Sequence, residues 1–272
     1  MKTIEDRELT AATLNRIVCS PGGREIEGQD LKGEIGRTIA WREGMLTLGM
    51  QGFVSYENGV VRGFIEYMPS GTAPFPIIAP GAAVLMCYHW IPEGKNEEEH
   101  AVQEKRLIRL MIERVEGRCS GIATLGWDNP VHFPIQWLEE LGFQQLESDG
   151  HIALMWLPLR EAIPGPTMAA PRFRPRDLSA EGLLAIDSAS SSRCPYSIHN
   201  AARLERIIEE SPGTDRIRHF AHRIDTHEDA VRWSISPWDW AWLFLNGEKI
   251  ALHELKSEEL QQLIAGKISQ LT

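Results

Sequence analysis

The sequence predicts an α/β (α+β) chain of two domains, a larger mixed-sheet domain followed by a smaller one. Three observations predict it. Strand-like and helix-like apolar periods alternate from residue 49 to residue 157, a proline-rich stretch interrupts them, and a shorter alternation follows. The expected boundaries are a first domain over 1–158, a linker over 159–178 and a second domain over 179–272.

In the first segment, residues 49–56 and 60–68 read as two strands, joined by a hairpin turn at Asn58-Gly59. Residues 82–91 form a third strand, apolar enough to lie centrally in a sheet. Residues 97–115 form a helix with Val102, Leu107, Ile108, Leu110, Met111 and Val115 on its apolar face. A strand over 119–127 and a helix over 134–141 follow, the helix stopped by Gly142. A strand over 151–157 closes the segment. Residues 1–48 give little pattern.

From Pro158 to Pro175 the chain carries five prolines and no periodicity, the composition of a semi-extended linker. The second segment begins with an apolar strand over 183–187. A helix runs on from Cys194-Pro195-Tyr196-Ser197, with Pro195 suited to the first helical position. Residues 217–224 belong in a second strand by their place in the order, although their apolar spacing is helical. A short helix over 227–234, a strand over 242–245, the turn Asn246-Gly247, a strand over 250–255 and a helix opened by Ser257 complete the chain.

The hydrophobic share of 43% and nine tryptophans are enough for real cores in 272 residues. A formal net charge of −10 argues against nucleic acid and anionic membranes as partners. No apolar run is long enough to span a membrane, and the N-terminus lacks the apolar core of a signal peptide. The four cysteines, at 19, 87, 119 and 194, have no spacing of a disulfide framework or zinc site, so no metal is expected from them. The expectation is a soluble cytoplasmic protein with reduced thiols.

The order of hairpin, central strand, helix, strand, helix ending in Gly-Phe and final strand resembles the GNAT superfamily of N-acetyltransferases. The segments that carry the resemblance are Gly63-Phe64-Ile65-Glu66-Tyr67, Cys87-Tyr88-His89-Trp90-Ile91 and Trp137-Leu138-Glu139-Glu140-Leu141-Gly142-Phe143. They look like a subgroup that joins such a domain to a C-terminal YoaP-like, thioredoxin-like domain. The resemblance implies that acetyl-CoA lies along the strand ending in Trp90 and Ile91, with its pyrophosphate at the turn holding Gly94 and Lys95 and with Asn129 in contact. The acceptor would be an amine of a small molecule or peptide.

Two positions depart from that pattern. Glu97, Glu98 and Glu99 suit a helix start but repel a pyrophosphate. Leu138 stands where such enzymes often carry a tyrosine that protonates the leaving thiolate. Glu66 and His89 are the candidate bases for the amine, against plainer readings as a solvated strand residue and a core histidine.

The Cys-Pro-Tyr-Ser run resembles the active site of glutaredoxins. By that resemblance Cys194 is a nucleophilic thiol, favoured as thiolate at a helix N-terminus, with Pro237 as the cis-proline opposite. Tyr196 and Ser197 would shape the pocket or bond the sulfur, and glutathione is the expected thiol partner. Since Ser197 replaces a second cysteine, only monothiol chemistry is open. Acetyl transfer is the first expectation. The alternatives are a monothiol redox or thiol-binding protein, and a non-catalytic binding protein on both folds.

Overall fold

A computed structural model describes residues 3–14, 25–26, 29–91, 97–128, 133–161, 163–234, 242–252 and 255–271. The chain divides into two compact units, Met1–Arg24 with Ile39–Ala169 and Glu25–Thr38 with Ala170–Thr272. The segment Glu25–Thr38 thus groups with the second unit, where the sequence suggested one unbroken first domain.

The first unit carries a seven-stranded mixed sheet. Its strands are β1 (Ile4–Glu8), β2 (Gln51–Glu57), β3 (Val60–Pro69), β4 (Ala83–Trp90), β5 (Gly121–Trp127), β6 (Gln144–Asp149) and β7 (Ile152–Pro158). Their spatial order is β1-β2-β3-β4-β5-β7-β6, and only β4 and β5 pair in parallel. Asn58 and Gly59 take left-handed conformations, φ 50° and 80°, which match the twist of the β2–β3 hairpin.

Helix α1 is Lys32–Thr47, α2 is Glu97–Val115 and α3 is Ile135–Glu140. Leu107, Ile108, Met111 and Val115 recur three and four apart on α2 and are buried with Ile65, Leu85, Tyr88 and Ile122. Each such side chain stabilises the fold by about 1.5–3 kcal/mol. β3 and β4 lie close because residue 63 is glycine. A Cβ there would meet the Trp90 ring at 2.6 Å and the His89 carbonyl oxygen at 2.8 Å. Strand β1 was not anticipated. It is largely exposed, and Arg106 of α2 reaches Asp6 at 2.7 and 3.1 Å and Ser55 at 3.0 Å.

The second unit contains β8 (Leu184–Ser190), α4 (Pro195–Glu210), β9 (Ile217–Arg223), α5 (His227–Trp233), β10 (Trp242–Leu245), β11 (Glu248–Ile250) and α6 (Ser257–Ser269). The sheet order is β9-β8-β10-β11, with β9 parallel and β10 antiparallel to β8. Leu184, Ile186, Leu204, Ile207, Leu243, Leu245, Leu260 and Ile264 form its main core. Residues 217–223 are a strand despite their helical spacing, because all seven pair with β8.

The strand expected over 250–255 is corrected to Glu248–Ile250. The two-residue turn Asn246-Gly247 makes Glu248 the direct partner of Leu245, and a Leu252 N–H bond to the Ile250 carbonyl ends the strand. The stretch read as linker is also partly built in. Thr167–Met168 pairs with Ile77–Ile78 in the first unit, and Phe173 stacks on Trp242 in the second, with ring centres 4.8 Å apart. No helix among the described residues is long and apolar enough to cross a membrane.

Candidate functional site

β4 and β5 pair only at Ala83 with Ile122 and Val84 with Ala123. Beyond that point each strand stays with its other neighbour, β4 with β3 and β5 with β7, so a gap opens. The Thr124 hydroxyl donates to the Leu85 carbonyl at 3.0 Å across its closed end. At the far end, the Trp127 N–H donates to the Phe133 carbonyl at 2.8 Å. Ile91 N–H bonds the Arg62 carbonyl at 2.6 Å, and the His89 carbonyl also faces β3. By strand alternation, the polar backbone groups of Tyr88 and Trp90 then face the gap.

At the end of β4, three titratable side chains meet. Oε1 of Glu104 lies 3.1 Å from His89 Nδ1 and 2.8 Å from His100 Nε2, and it accepts the Trp90 N–H at 3.1 Å. His100 and Glu104 are four apart on α2, so they share one helix face, and β4 supplies His89. Burial pushes the Glu104 carboxyl up, but contacts with His100 and His89 outweigh it and hold the group below the usual carboxylate range. The same carboxylate lifts His100 above an ordinary histidine, against the opposing pull of burial.

Tyr88 is buried, and its ring meets Phe133 edge-on with centres 4.5 Å apart. Burial, with Glu104 and Cys87 nearby, pushes its phenol well above 10, so the proton stays on. The hydroxyl has no hydrogen-bond partner among the described residues. Leu138, which cannot donate a proton, is buried in the same cluster.

Glu66 does not fit the role of base. Its side chain is fully buried and paired with Arg42 of α1, which donates from Nη2 at 3.1 Å and also contacts it through Nε. It is neither a solvated strand residue nor open to a substrate. Trp90 ends β4 and Ile91 follows it. Both amides are committed, to Glu104 and to Arg62, so neither is presented to a ligand. Gly94, Lys95, Asn129 and Pro237 lie outside the described residues. Of the first-unit residues singled out from sequence, His89 is the one that stands in this titratable group. His100 and Glu104 were missed, and the signal was their i,i+4 spacing on a helix whose bounds were already legible.

In the second unit Cys194 caps α4 with extended backbone, and Pro195 takes the first helical position. The Cys194 carbonyl accepts from the amides of Ser197 and Ile198 at 3.0 and 3.3 Å, while the thiol is half-buried. The Ser197 oxygen accepts the Ser191 N–H at 2.9 Å, a loop-holding bond rather than one to the sulfur. A cavity of about 360 Å³ is lined by Ser188, Ser197, Asn200, Trp242 and Lys249 among others, and neither Cys194 nor Tyr196 lines it. Asp187, on β8, is fully buried. It pairs with the Arg176 guanidinium, accepts the Arg176 N–H at 2.8 Å and lies 3.5 Å from His222 Nε2.

No protein-family model matches the chain, and no curated protein matches it. Among solved structures it is similar to a GNAT family acetyltransferase from Brucella melitensis in complex with acetyl-CoA, at 17% identity. That likeness covers 60% of this chain and 92% of the other, with a TM-score of 0.39. A putative GNAT acetyltransferase from Desulfovibrio desulfuricans is 15% identical over 58% of this chain and 100% of its own, with a TM-score of 0.41. The putative acetyltransferase yncA from Salmonella typhimurium, with its cofactor acetyl-CoA, is 18% identical over 59% and 97%, with a TM-score of 0.39. These likenesses are loose in both sequence and superposition.

Proposed function

We propose that the first unit transfers an acetyl group from acetyl-CoA to an amine of a small molecule or peptide, in the gap between β4 and β5. The observation that carries this reading is the early end of β4–β5 pairing, with the His89–Glu104–His100 group at the end of β4. An extended amide-bearing arm fits the backbone edge at Tyr88, since the Trp90 amide is already taken by Glu104. Glu97, Glu98 and Glu99 in the first turn of α2 do not favour a diphosphate, so binding rests on the strand edge more than on charge.

In the reaction the amine nitrogen attacks the thioester carbonyl carbon. The C–N bond forms, the C–S bond breaks, and the thiolate leaves. His89, oriented by Glu104, takes the proton the amine loses, directly or through a water. The phenol of Tyr88 keeps its proton and has no hydrogen-bond partner among the described residues, so it is the candidate to supply the thiolate with the proton that Leu138 cannot give.

For the second unit the reading is a thioredoxin-like fold. A parallel β8-α4-β9 unit, then antiparallel β10 and β11, then α6, with Cys194 opening α4, support it. Cys194 serves here as a marker of that fold, since its thiol lies off the cavity lining.

The test measures acetyl-CoA-dependent thermal stabilisation of the full chain, then release of free thiol with a panel of amines. Millimolar acetyl-CoA is expected to raise the melting temperature. His89→Ala is expected to lower kcat by about 10²–10⁴-fold with KM for acetyl-CoA little changed. No stabilisation at millimolar acetyl-CoA overturns the reading.

A further inference from the structure

We propose that His89, His100 and Glu104 form a binding site for one divalent transition-metal ion of the zinc class. Each residue offers one ligand atom, and the three atoms lie within 4.8 Å of one another. Two imidazoles and one carboxylate form a donor set that borderline ions such as Zn²⁺ and Co²⁺ prefer, and it leaves coordination positions open.

The distances support an ion over a purely hydrogen-bonded group. With metal–nitrogen and metal–oxygen bonds of about 2.0–2.2 Å, the ligand atoms of a tetrahedral site stand about 3.3–3.5 Å apart. Oε1 of Glu104 already stands 3.1 Å from one ring nitrogen and 2.8 Å from the other. Opening those gaps by a few tenths of an ångström, while the two imidazoles draw in from at most 4.8 Å, leaves room for the ion between all three. His100 Nε2, despite its closeness, makes no well-aligned hydrogen bond to that oxygen, and among the described residues this buried atom has no other partner. Both imidazoles therefore converge on one oxygen atom, and one of them is left poorly satisfied there.

The surroundings suit the same role. The Trp90 N–H donates to the same carboxylate oxygen at 3.1 Å, the kind of outer-shell hydrogen bond that orients metal-binding carboxylates. The i,i+4 pair on α2 and the single ligand from β4 come from rigid elements. The His100 side chain, 24% exposed, gives the ion a way in. Binding forms three coordinate bonds and expels any proton shared between the imidazoles and Glu104. With the ion in place His89 has no lone pair for an amine proton, so zinc would switch acyl transfer off. That consequence rests on the acetyltransferase reading, whereas the site itself does not.

The experiment titrates the chelator-treated full chain with Co²⁺ and records the visible d–d bands of low-coordinate cobalt, then displaces it with Zn²⁺. One equivalent is expected to bind. His100→Ala, at a partly exposed position, is expected to weaken binding by about 100-fold or more while keeping the circular dichroism and melting temperature of the wild type. Glu104→Gln is the second variant, with the same expected loss of the bands. Absence of the bands, or bands that persist in both variants, overturns the site. Co²⁺ binding without any acetyl transfer would retain the site and remove the acetyltransferase reading. Acetyl transfer insensitive to Zn²⁺, without cobalt bands, would do the reverse.

Discussion

Glu66 and Glu104 are both buried carboxylates of the first unit, and they are neutralised in different ways. Glu66 faces the Arg42 guanidinium, a partner that never gives up its proton. Glu104 faces two imidazoles and one backbone amide, partners that can change charge or leave for a ligand. The first arrangement locks α1 to the sheet. The second holds a carboxylate between partners from two different elements. Burial of an acid is therefore no guide to function until its counter-charge is known.

Removing the fixed partner gives the largest effect. Arg42→Met leaves the Glu66 charge buried and alone, and should lower unfolding free energy by about 3–5 kcal/mol in denaturant titration. The double change Arg42→Met with Glu66→Leu should recover most of that loss, because an apolar pair of similar volume replaces two desolvated charges. A single-variant loss below about 1 kcal/mol would break the comparison.

Glu104→Gln should cost less, about 1–3 kcal/mol, because its amide still fills the space and both imidazoles can stay neutral. If its cost equals that of Arg42→Met in the same titration, the two acids are not different in kind.

Asp187 in the second unit carries both kinds of partner, Arg176 and His222, and so sharpens the comparison through pH. Burial raises its carboxyl, but His222 and Arg176 together hold it below 3.8. A depressed acid stabilises the fold above its unfolded value, and that stability is lost as pH falls through the folded value. His219, bonded to Ser188 at 2.9 Å, is held below 6.5 by burial. Below pH 6.5 the unfolded chain therefore takes its proton first, and stability falls on acidification. Trp233 and Trp242 fluorescence should report a denaturation midpoint that drops from pH 6.5 downwards and again below 3.8. A midpoint flat from pH 7 to 3 would contradict both assignments. The smallest effect belongs to the surface pair of Lys105 and Glu140, 2.8 Å apart. Lys105→Ala should change stability by about 0.2–1 kcal/mol, and less at high salt.

Elements with a strong local code were legible in the sequence. Asn58-Gly59 gave the hairpin, the glutamates and apolar stripe gave α2 to the residue, and Trp242–Leu245 read correctly from its apolar run. What escaped depended on tertiary pairing. Ile4–Glu8 is an edge strand made mostly of charges, Gln144–Asp149 is another polar edge, and α1 contains Gly33, Gly36 and Gly44, which argue against helix locally. The site divides the same way. His89 was singled out because its strand was legible. Glu66 was misjudged because Arg42, 24 residues earlier, leaves no local trace of the pairing. His100 and Glu104 were visible only as a spacing, whose meaning appears when β4 lies beside α2.

The early end of β4–β5 pairing has a mechanical consequence. The seven strands group as two smaller sheets, β1–β4 and β5–β7, joined strand to strand at two residue pairs and one threonine hydroxyl, with a Ser120 N–H to Gly81 carbonyl bond just before them. Few backbone bonds cross between the halves, so local opening is expected to concentrate along that seam. An extended molecule laid on β4 would act as the strand the seam lacks, and its arrival would be felt as stiffness across both halves.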